Sequence, residues 1–300
     1  MKRLLSALLA FTLFLCGCTR LAGNTDESSL QTQINRQDKP VENNSVSKAQ
    51  GNLSVHYIDV GQADCILLMQ GDNSMLIDGG NNDDGEAVVK YLQSQGISKV
   101  DYIIATHPHE DHIGGIDNVI NSFEIGQVIM PKVSHNTKTY EDILKSIKNK
   151  GLTVTAAKAG QSYWLGQAKV DIISPLKDKY DDLNAYSVVA RVVFGENSFL
   201  FTGDMITQNE TALLKAGTDV SANVLKVAHH GSYTSNSQDF LKAVGAKYSV
   251  IQVGKDNDYG HPHTNILRRL TASSEVYRTD RNGNIIVTSN GKDIEVKTER

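Results

Sequence analysis

The sequence predicts an α/β fold in which two β-sheets pack against each other and are covered by helices. Beyond residue 52, short apolar segments with the period of strands alternate with segments of helical spacing. No shift in composition divides this part of the chain, which indicates one domain over residues 52–300. Of the 300 residues, 40% are apolar, and this is enough for a core of that size.

Residues 1–18 have the pattern of a secretory signal, in which a basic start precedes a short apolar run. The run over residues 4–15 is shorter than the roughly 20 residues of a membrane span. Gly17 stands directly before Cys18, and this order resembles the lipobox of bacterial lipoproteins. We therefore expect a secreted protein that is lipidated at Cys18 and anchored to the outer face of the bacterial cell membrane. The alternative is a plain cleaved signal.

Residues 19–51 form a predicted disordered, polar tether. They are rich in Asn, Gln, Ser, Asp and Thr and almost free of aromatic residues, so they cannot supply an apolar core. Such a segment would hold the domain away from a membrane surface.

The net charge of −4 argues against a strongly basic protein that coats nucleic acid, although it allows one local basic groove. The three cysteines exclude a scaffold with many disulfides.

The strands and helices of the domain are predicted from the spacing of apolar residues along the chain and from the glycines that interrupt it. The predicted strands are 53–60, 64–70, 74–78, 102–105, 127–130, 152–156, 168–173, 186–194, 198–202, 223–228, 248–252, 275–278 and 284–289. The predicted helices are 86–95, 113–122, 138–149, 207–215, 236–244 and 264–271.

Seven of the nine histidines fall in three short clusters. The first cluster is THPHEDH at 106–112, directly after a predicted strand. Residues two positions apart in such a loop can point the same way, so His107 and His109 can share one metal ion. Asp111 and His112 then face a neighbouring position. Imidazole and carboxylate ligands at this spacing suit Zn²⁺, and the carboxylate leaves Mn²⁺ or Fe open.

Three further motifs follow predicted strands or lie near the C-terminus. Asp204 ends a Thr-Gly-Asp segment after strand 198–202, and a carboxylate there can bridge two cations roughly 3.5–4 Å apart. His229 and His230 end the strand over 223–228, and the segment YGHPH contains the last pair of histidines.

The order of these motifs resembles that of the metallo-β-lactamase superfamily. The match is closer to the β-lactamase-like domain of ComEC-type DNA-uptake proteins and its free-standing relatives, which include phosphorylcholine esterases. The segments that carry this resemblance are YIDVGQAD at 57–64, LIDGG at 76–80, KVAHHGS at 226–232 and YGHPH at 259–263. The resemblance covers about residues 53–290 and implies an αββα sandwich of two mixed sheets, with metal ions at one edge.

Carried over by position, the resemblance implies two divalent metal ions, zinc before manganese or iron. Of the histidine pair we favour His229 as a ligand because it comes first off the strand. Asp111 would also orient the nucleophile, and His230 and His261 would face the substrate and stabilise developing charge or protonate the leaving group. The implied metal ligands are His107, His109, Asp111, His112, Asp204 and His229.

The resemblance also implies groups around the ligands. Asp59 and Asp78 would orient ligand histidines, with turn capping as the alternative role for both. The chain departs from the family at Ala63, where the family has glycine. It also has Asn184 and Ser187 where many members of the superfamily have a further histidine. The first metal site, with only His107, His109 and Asp204 as protein ligands, is therefore expected to bind its metal ion more weakly than the second.

These inferences predict a surface-tethered, dinuclear metal-dependent hydrolase, foremost a phosphodiesterase or nuclease. The alternatives are a hydrolase of phosphorylcholine or another cell-envelope ester, and a metal-stabilised binding protein without turnover. Because the chain lacks the many membrane spans of a ComEC channel, it is not expected to transport DNA itself. The expected partners are a phosphodiester substrate (DNA or a cell-envelope component) and the membrane. No obligate protein partner is predicted.

Overall fold

Two sheets frame the part of the chain that the structure describes. The structure is a computed structural model, and it describes residues 51–300. The predicted signal, and the predicted tether up to residue 50, lie outside the described residues. The strands in chain order are β1 (Leu53–Tyr57), β2 (Ile66–Gln70), β3 (Asn73–Ile77), β4 (Lys99–Ile104), β5 (Glu124–Met130), β6 (Val154–Ala156), β7 (Ser162–Leu165), β8 (Ala168–Ser174), β9 (Val189–Phe194), β10 (Asn197–Phe201), β11 (Val224–Lys226), β12 (Tyr248–Ile251), β13 (Glu275–Arg278), β14 (Ile285–Ser289) and β15 (Ile294–Thr298).

Helices connect many of these strands. Within residues 51–300 we find none with the length and hydropathy of a membrane span. The α-helices are α1 (Gly85–Ser94), α2 (Glu110–Ile113), α3 (Ile116–Ser122), α4 (Lys138–Asn149), α5 (Thr207–Lys215), α6 (Gln238–Val244), α7 (Thr264–Thr271) and α8 (Thr279–Asn282).

Both sheets are mixed. The first has the order β15-β14-β1-β2-β3-β4-β5-β6, in which β3 to β6 are parallel and the other pairs antiparallel. The second has the order β13-β12-β11-β10-β9-β8-β7, in which β10 to β13 are parallel. Two mixed sheets flanked by helices are the predicted αββα architecture, and the predicted fold class is confirmed.

Alternation of side chains along the strands creates the layers. In β10, Phe199 and Phe201 are buried in the core between the sheets, whereas Leu200 belongs to the apolar cluster under the helices of the second sheet. This is the period of two expected of a strand that is covered on both faces. On the other side of the molecule, Val88 and Leu92 of α1 pack in a cluster with residues of β4 and β5.

The strands that sequence reasoning missed lie at exposed edges, and the short helix α8 was missed as well. β7 and β15 are the last strands of their sheets and bury few side chains, so they show no clear apolar period. The predicted helix over 113–122 is divided into α2 and α3. At this break a Cβ on Gly115 would lie 2.4 Å from the carbonyl oxygen of Gly79, so the turn after β3 requires glycine there.

The carboxyl ends of the parallel strands of both sheets meet at one edge. Asp78 follows β3, and His107 follows β4 in the same sheet. Asp204 follows β10, and His230 follows β11 in the second sheet. Ligands of α/β sheets bind at this kind of edge, because the loops after the strands converge there.

Candidate metal centre

Four side chains from the two sheets converge as a possible metal-binding cluster. Asp111, His112, Asp204 and His230 each offer one ligand atom, and these atoms all lie within 4.8 Å of one another. His112 Nε2 lies 3.3 Å from Asp204 Oδ1 and 3.6 Å from Asp111 Oδ2. His230 Nε2 lies 3.2 Å from Asp111 Oδ2.

The cluster passes a direct test of whether it suits a cation. His112 Nε2 and Asp204 Oδ1 are fully buried, yet neither has a hydrogen-bond partner among the described residues. Buried polar atoms are rarely left without a partner, and a ligand nitrogen beside carboxylate oxygens is the donor set of a divalent metal. The sequence-based expectation of divalent metal binding is consistent with this cluster.

The hydrogen bonds around the two histidines fix which ring nitrogen faces the cluster. His230 Nδ1 donates to the carbonyl oxygen of Gln252 at 2.9 Å, and His112 Nδ1 lies 2.8 Å from Asp78 Oδ2. In the neutral form that a metal ligand requires, each Nδ1 would therefore carry the proton, and the lone pair of Nε2 would point to the cluster. Asp78 is held in turn by Thr106, whose backbone N–H and hydroxyl donate at 2.8 and 2.7 Å.

The geometry favours His230 as a ligand, whereas the sequence favoured His229. His229 and His230 both have left-handed backbone conformations, with φ of 52° and 51°. This turn carries the His230 side chain inward, where it is 2% exposed, and leaves His229 21% exposed with its Nδ1 3.0 Å from Thr234 Oγ1. His229 Nε2 still lies 3.5 Å from Asp204 Oδ2, so His229 stands beside the cluster and not in it.

His107 and His109 form a second, smaller group next to the cluster. His107 Nε2 lies 3.0 Å from His109 Nδ1, and the ring centroids of His107 and His112 are 4.1 Å apart. Asn184 lines the adjoining cleft with its buried Oδ1 unpartnered, while the Ser187 hydroxyl accepts a hydrogen bond from the Asp204 backbone N–H at 3.1 Å. Ser187 thus holds Asp204 in position.

A buried ion pair that sequence reasoning missed supports both cluster histidines. Lys226 is completely buried, and its Nζ lies 2.7 Å from Asp64 Oδ2 and donates to the carbonyl oxygen of Val227 at 2.9 Å. Asp64 Oδ1 lies 3.4 Å from His230 Nδ1. Asp64 Oδ2 lies 3.8 Å from His112 Nδ1. A lysine inside the apolar segment after residue 223 was the available signal, because such a residue must be paired.

The site carries more negative than positive charge. Asp64, Asp78 and Asp204 are buried, whereas Lys226 is the one buried Lys or Arg among residues 51–300. Burial disfavours an ionised carboxylate, but the neighbouring histidines hold the pKa of Asp204 well below its ordinary value. Burial also disfavours a charged His112, yet Asp204, Asp111 and Asp78 raise its pKa well above the ordinary value. Bound cations would compensate this surplus of carboxylates.

Asp59 has the alternative role, that of capping a turn, because its Oδ1 accepts a hydrogen bond from the Gly61 backbone N–H at 3.4 Å. Its carboxylate pairs with Arg300 at 2.6 Å, near the surface, and contacts no histidine of the described chain. The reason is its place in the sheet, because β1 is separated from β4 by β2 and β3. Asp78 follows β3, which neighbours β4, and therefore reaches His112.

A cleft of about 360 Å³ opens over the cluster. His261, expected to face the substrate, lines it, and burial together with the neighbouring histidines lowers the pKa of His261 to about 4. His135, which sequence reasoning did not single out, has its ring 6.4 Å from that of His109. The lining residues are Gln62, His109, Glu110, Asp111, Asn184, Asp204, His229, His230, Tyr259 and His261.

We expect two unequal steps when the metal-free protein is titrated with Zn²⁺. The cluster offers a set of four donors, whereas the site of His107 and His109 is expected to share Asp204 with the cluster and to have no third histidine. His107→Ala should remove the weaker step and leave the tighter one, as measured by calorimetric titration. His135→Ala is the matched control and should keep both steps. Two equally tight sites would contradict the expected asymmetry.

Comparison with known proteins identifies relatives of this chain. A family model described as the metallo-beta-lactamase superfamily matches residues 58–255. The chain is 30% identical over 203 residues to ComE operon protein 3 of Bacillus subtilis, which covers 67% of this chain and 26% of that protein. It is 30% identical over 228 residues to competence protein ComA of Neisseria gonorrhoeae, and this match covers 75% of this chain and 30% of that protein. The chain thus spans less than a third of the length of these relatives.

Solved structures share the fold. The metallo-beta-lactamase fold protein YhfI of Bacillus subtilis has a TM-score of 0.54 at 14% identity, over 80% of this chain and 100% of that one. CmlA, a diiron beta-hydroxylase of Streptomyces venezuelae, has a TM-score of 0.50 at 17% identity, over 76% of this chain and 53% of that one. These similarities concern the fold, which carries more than one chemistry.

Proposed function

Because the chain belongs to the metallo-beta-lactamase superfamily, as its motifs predicted, we propose that it is a metal-dependent hydrolase of phosphodiesters. The observation that carries this proposal is the cluster of Asp111, His112, Asp204 and His230 at an open cleft. Metal ions held by these residues would lower the pKa of water towards neutrality and polarise a phosphoryl oxygen.

Asp111 is the residue of the cluster best placed to orient an attacking water. Its side chain is 32% exposed and lines the cleft, whereas those of His112 and Asp204 are almost fully buried. Burial works against its charged form, but His112 and His230 hold the pKa of Asp111 well below its ordinary value. The carboxylate is therefore ionised at neutral pH and can accept a hydrogen bond from water.

His261 and His229 are the histidines that we propose face the substrate. Burial, first of all, lowers the pKa of both rings, so they are neutral at pH 7. A neutral imidazole still donates one hydrogen bond, which can stabilise the charge that develops on phosphoryl oxygens. His230 was expected in this role, but its Nδ1 donates to the carbonyl oxygen of Gln252 and its Nε2 faces the cluster. We therefore propose His230 as the ligand.

We propose that the centre holds two ions, with zinc before manganese or iron. The support is the pair of imidazoles of His107 and His109 next to the four-residue cluster, and the surplus of carboxylates around both. Neutral imidazole with carboxylate is a donor set that these metals share.

We propose a nucleic acid as the substrate. The support is the resemblance to ComEC-type DNA-uptake proteins, together with the 30% identity to a competence protein of Neisseria gonorrhoeae. A phosphorylcholine ester or another cell-envelope ester needs the same chemistry at phosphorus, and a substrate panel separates them. A binding protein without turnover would have no need for a carboxylate that faces both the cluster and the cleft.

We also propose that the protein is anchored to the cell envelope through a lipid on Cys18, since Gly17 and a short apolar run precede this cysteine. Cys18→Ser should then move the protein from the membrane fraction to the soluble fraction of the producing bacterium. Equal partitioning of both forms with membranes would contradict the anchor.

The experiment that tests the hydrolase is a substrate panel with the protein loaded with Zn²⁺ or Mn²⁺. The panel comprises single-stranded DNA, duplex DNA, bis-p-nitrophenyl phosphate, p-nitrophenyl phosphorylcholine and nitrocefin. We expect hydrolysis of bis-p-nitrophenyl phosphate and DNA, and its loss after chelation. Hydrolysis of the phosphorylcholine ester alone would assign the second substrate class, and the absence of any turnover with either metal would contradict the proposal.

A further inference from the structure

Four aromatic rings form a row, and two of them, those of His261 and Tyr259, line the cleft. The ring centroids of Tyr233 and His263 are 4.7 Å apart, and those of His263 and His261 are 5.0 Å apart. The row ends with Tyr259, whose ring stacks on His261 with centroids 5.6 Å apart and an angle of 20° between the planes. We refer to Tyr233, His263, His261 and Tyr259 as the ring row.

The two ends of the ring row are strongly exposed. Tyr233 is 66% and Tyr259 is 68% exposed, and both belong to the small set of exposed large apolar side chains among residues 51–300. Exposed tyrosine rings in and near a cleft offer apolar area that a ligand can cover.

The ring row is fixed to the turn that carries the cluster histidine. The His263 backbone N–H donates to the carbonyl oxygen of Gly231 at 3.0 Å. A Cβ on Gly231 would lie 2.5 Å from Pro262 Cβ, so the two segments are in direct contact. His261 in turn stacks on His230, with ring centroids 6.3 Å apart. A ligand on the ring row is thus held at a fixed position relative to the cluster.

Exposed lysines lie beside a turn that contributes to the cleft. The turn Leu183–Tyr186 contributes Asn184 to the cleft and Tyr186 to a neighbouring hollow. That hollow is lined by Lys132, Lys158 and Lys177 together with Asp178. Exposed lysines attract the phosphates of a polyanion and repel a quaternary ammonium group.

We propose that the ring row is a stacking platform for the bases of single-stranded nucleic acid, with the strand crossing the cleft towards the lysines. This inference rests on the proposed function and specifies its substrate. Bases stack on aromatic side chains only when their faces are free, which excludes the interior of a duplex. A choline group requires rings that surround one cation, whereas these four rings follow one another in a row, with neighbouring centroids 4.7 to 5.6 Å apart and the exposed tyrosines at its two ends.

The test measures binding of a fluorescent oligothymidine of eight nucleotides by anisotropy, in an Asp111→Asn background in which cleavage is slow and the metal occupancy of each variant is verified by metal analysis. Tyr233→Leu and Tyr259→Leu should each weaken binding about 5- to 150-fold, the range for loss of one stacked base. Tyr259→Phe should restore most of the affinity, because it keeps the ring and removes only the hydroxyl. Trp164→Leu, an equally exposed aromatic residue on β7, is the matched control and should bind like the parent.

The outcomes separate this inference from the proposed function. Unchanged binding in both leucine variants would overturn the platform, and so would equal affinity for a blunt duplex of the same length. Displacement of the oligonucleotide by phosphorylcholine at equal concentration would overturn the choice of ligand. If the active protein still hydrolyses bis-p-nitrophenyl phosphate in any of these cases, the phosphodiesterase proposal stands and only the platform fails.

Discussion

Replacing Asp111 by asparagine is expected to lower kcat on bis-p-nitrophenyl phosphate by about three orders of magnitude while the protein stays folded. The substitution keeps the size of the side chain and removes the negative charge that lies between His112 Nε2 and His230 Nε2 at the cleft. It would take away both a proposed ligand and the group proposed to orient water. The measurement is steady-state kinetics at saturating Zn²⁺, with circular dichroism to verify the fold and metal analysis to report occupancy.

Asp59→Asn is the matched control for this experiment. Asp59 resembles the site residues in sequence context, but its carboxylate pairs with Arg300 near the surface. This variant should retain the parental kcat. Turnover by Asp111→Asn within about tenfold of the parent would contradict the role given to Asp111, since loss of a general base typically costs more than that.

Lys226→Met is expected to lower the free energy of unfolding by about 3–5 kcal/mol, the range for removing one partner of a buried ion pair. Methionine fills most of the space of the lysine stem, so the loss reflects the charge more than packing. Asp64 would then be left buried with its carboxylate 3.4 Å from His230 Nδ1 and without the ammonium that now lies at 2.7 Å. Urea unfolding of the metal-loaded protein measures the change.

Two further variants serve as controls for this prediction. The double variant Asp64→Asn with Lys226→Met should recover part of the lost stability, because no unpaired buried charge remains. Lys169→Met removes the partner of Asp171 in an ion pair whose lysine is 45% exposed, and it should change stability by at most about 1 kcal/mol. If Lys226→Met were no more destabilising than Lys169→Met, the buried pair would have no structural role.

The sequence predicts the ends of strands well, and the site follows from them. Each motif comes directly after an apolar run, so the positions of Asp78, His112 and Asp204 depend only on which strand ends meet. The choice between His229 and His230 depends on a turn in which two consecutive residues take positive φ. Such a turn leaves no periodic signal, and the order of the two residues along the chain is a poor guide to which one points inward.

Other features depend on contacts between distant parts of the chain. Asp64 and Lys226 come from different sheets, and no local pattern indicates that they pair. The single predicted helix over 113–122 is divided because the chain beside Gly79 packs against Gly115, which is again a contact between segments far apart. Edge strands β7 and β15 were missed because few of their side chains are buried.

The distribution of the cluster over the two sheets has a consequence for when the protein becomes active. Asp111 and His112 follow β4 of the first sheet, whereas Asp204 and His230 follow strands of the second. An ion bound to all four residues therefore acts as a cross-link between the two halves of the sandwich, and its binding energy is added to the stability of the docked state. A nascent or partly unfolded chain holds at most half of the ligands. Such a chain cannot form the complete cluster before its two halves have come together.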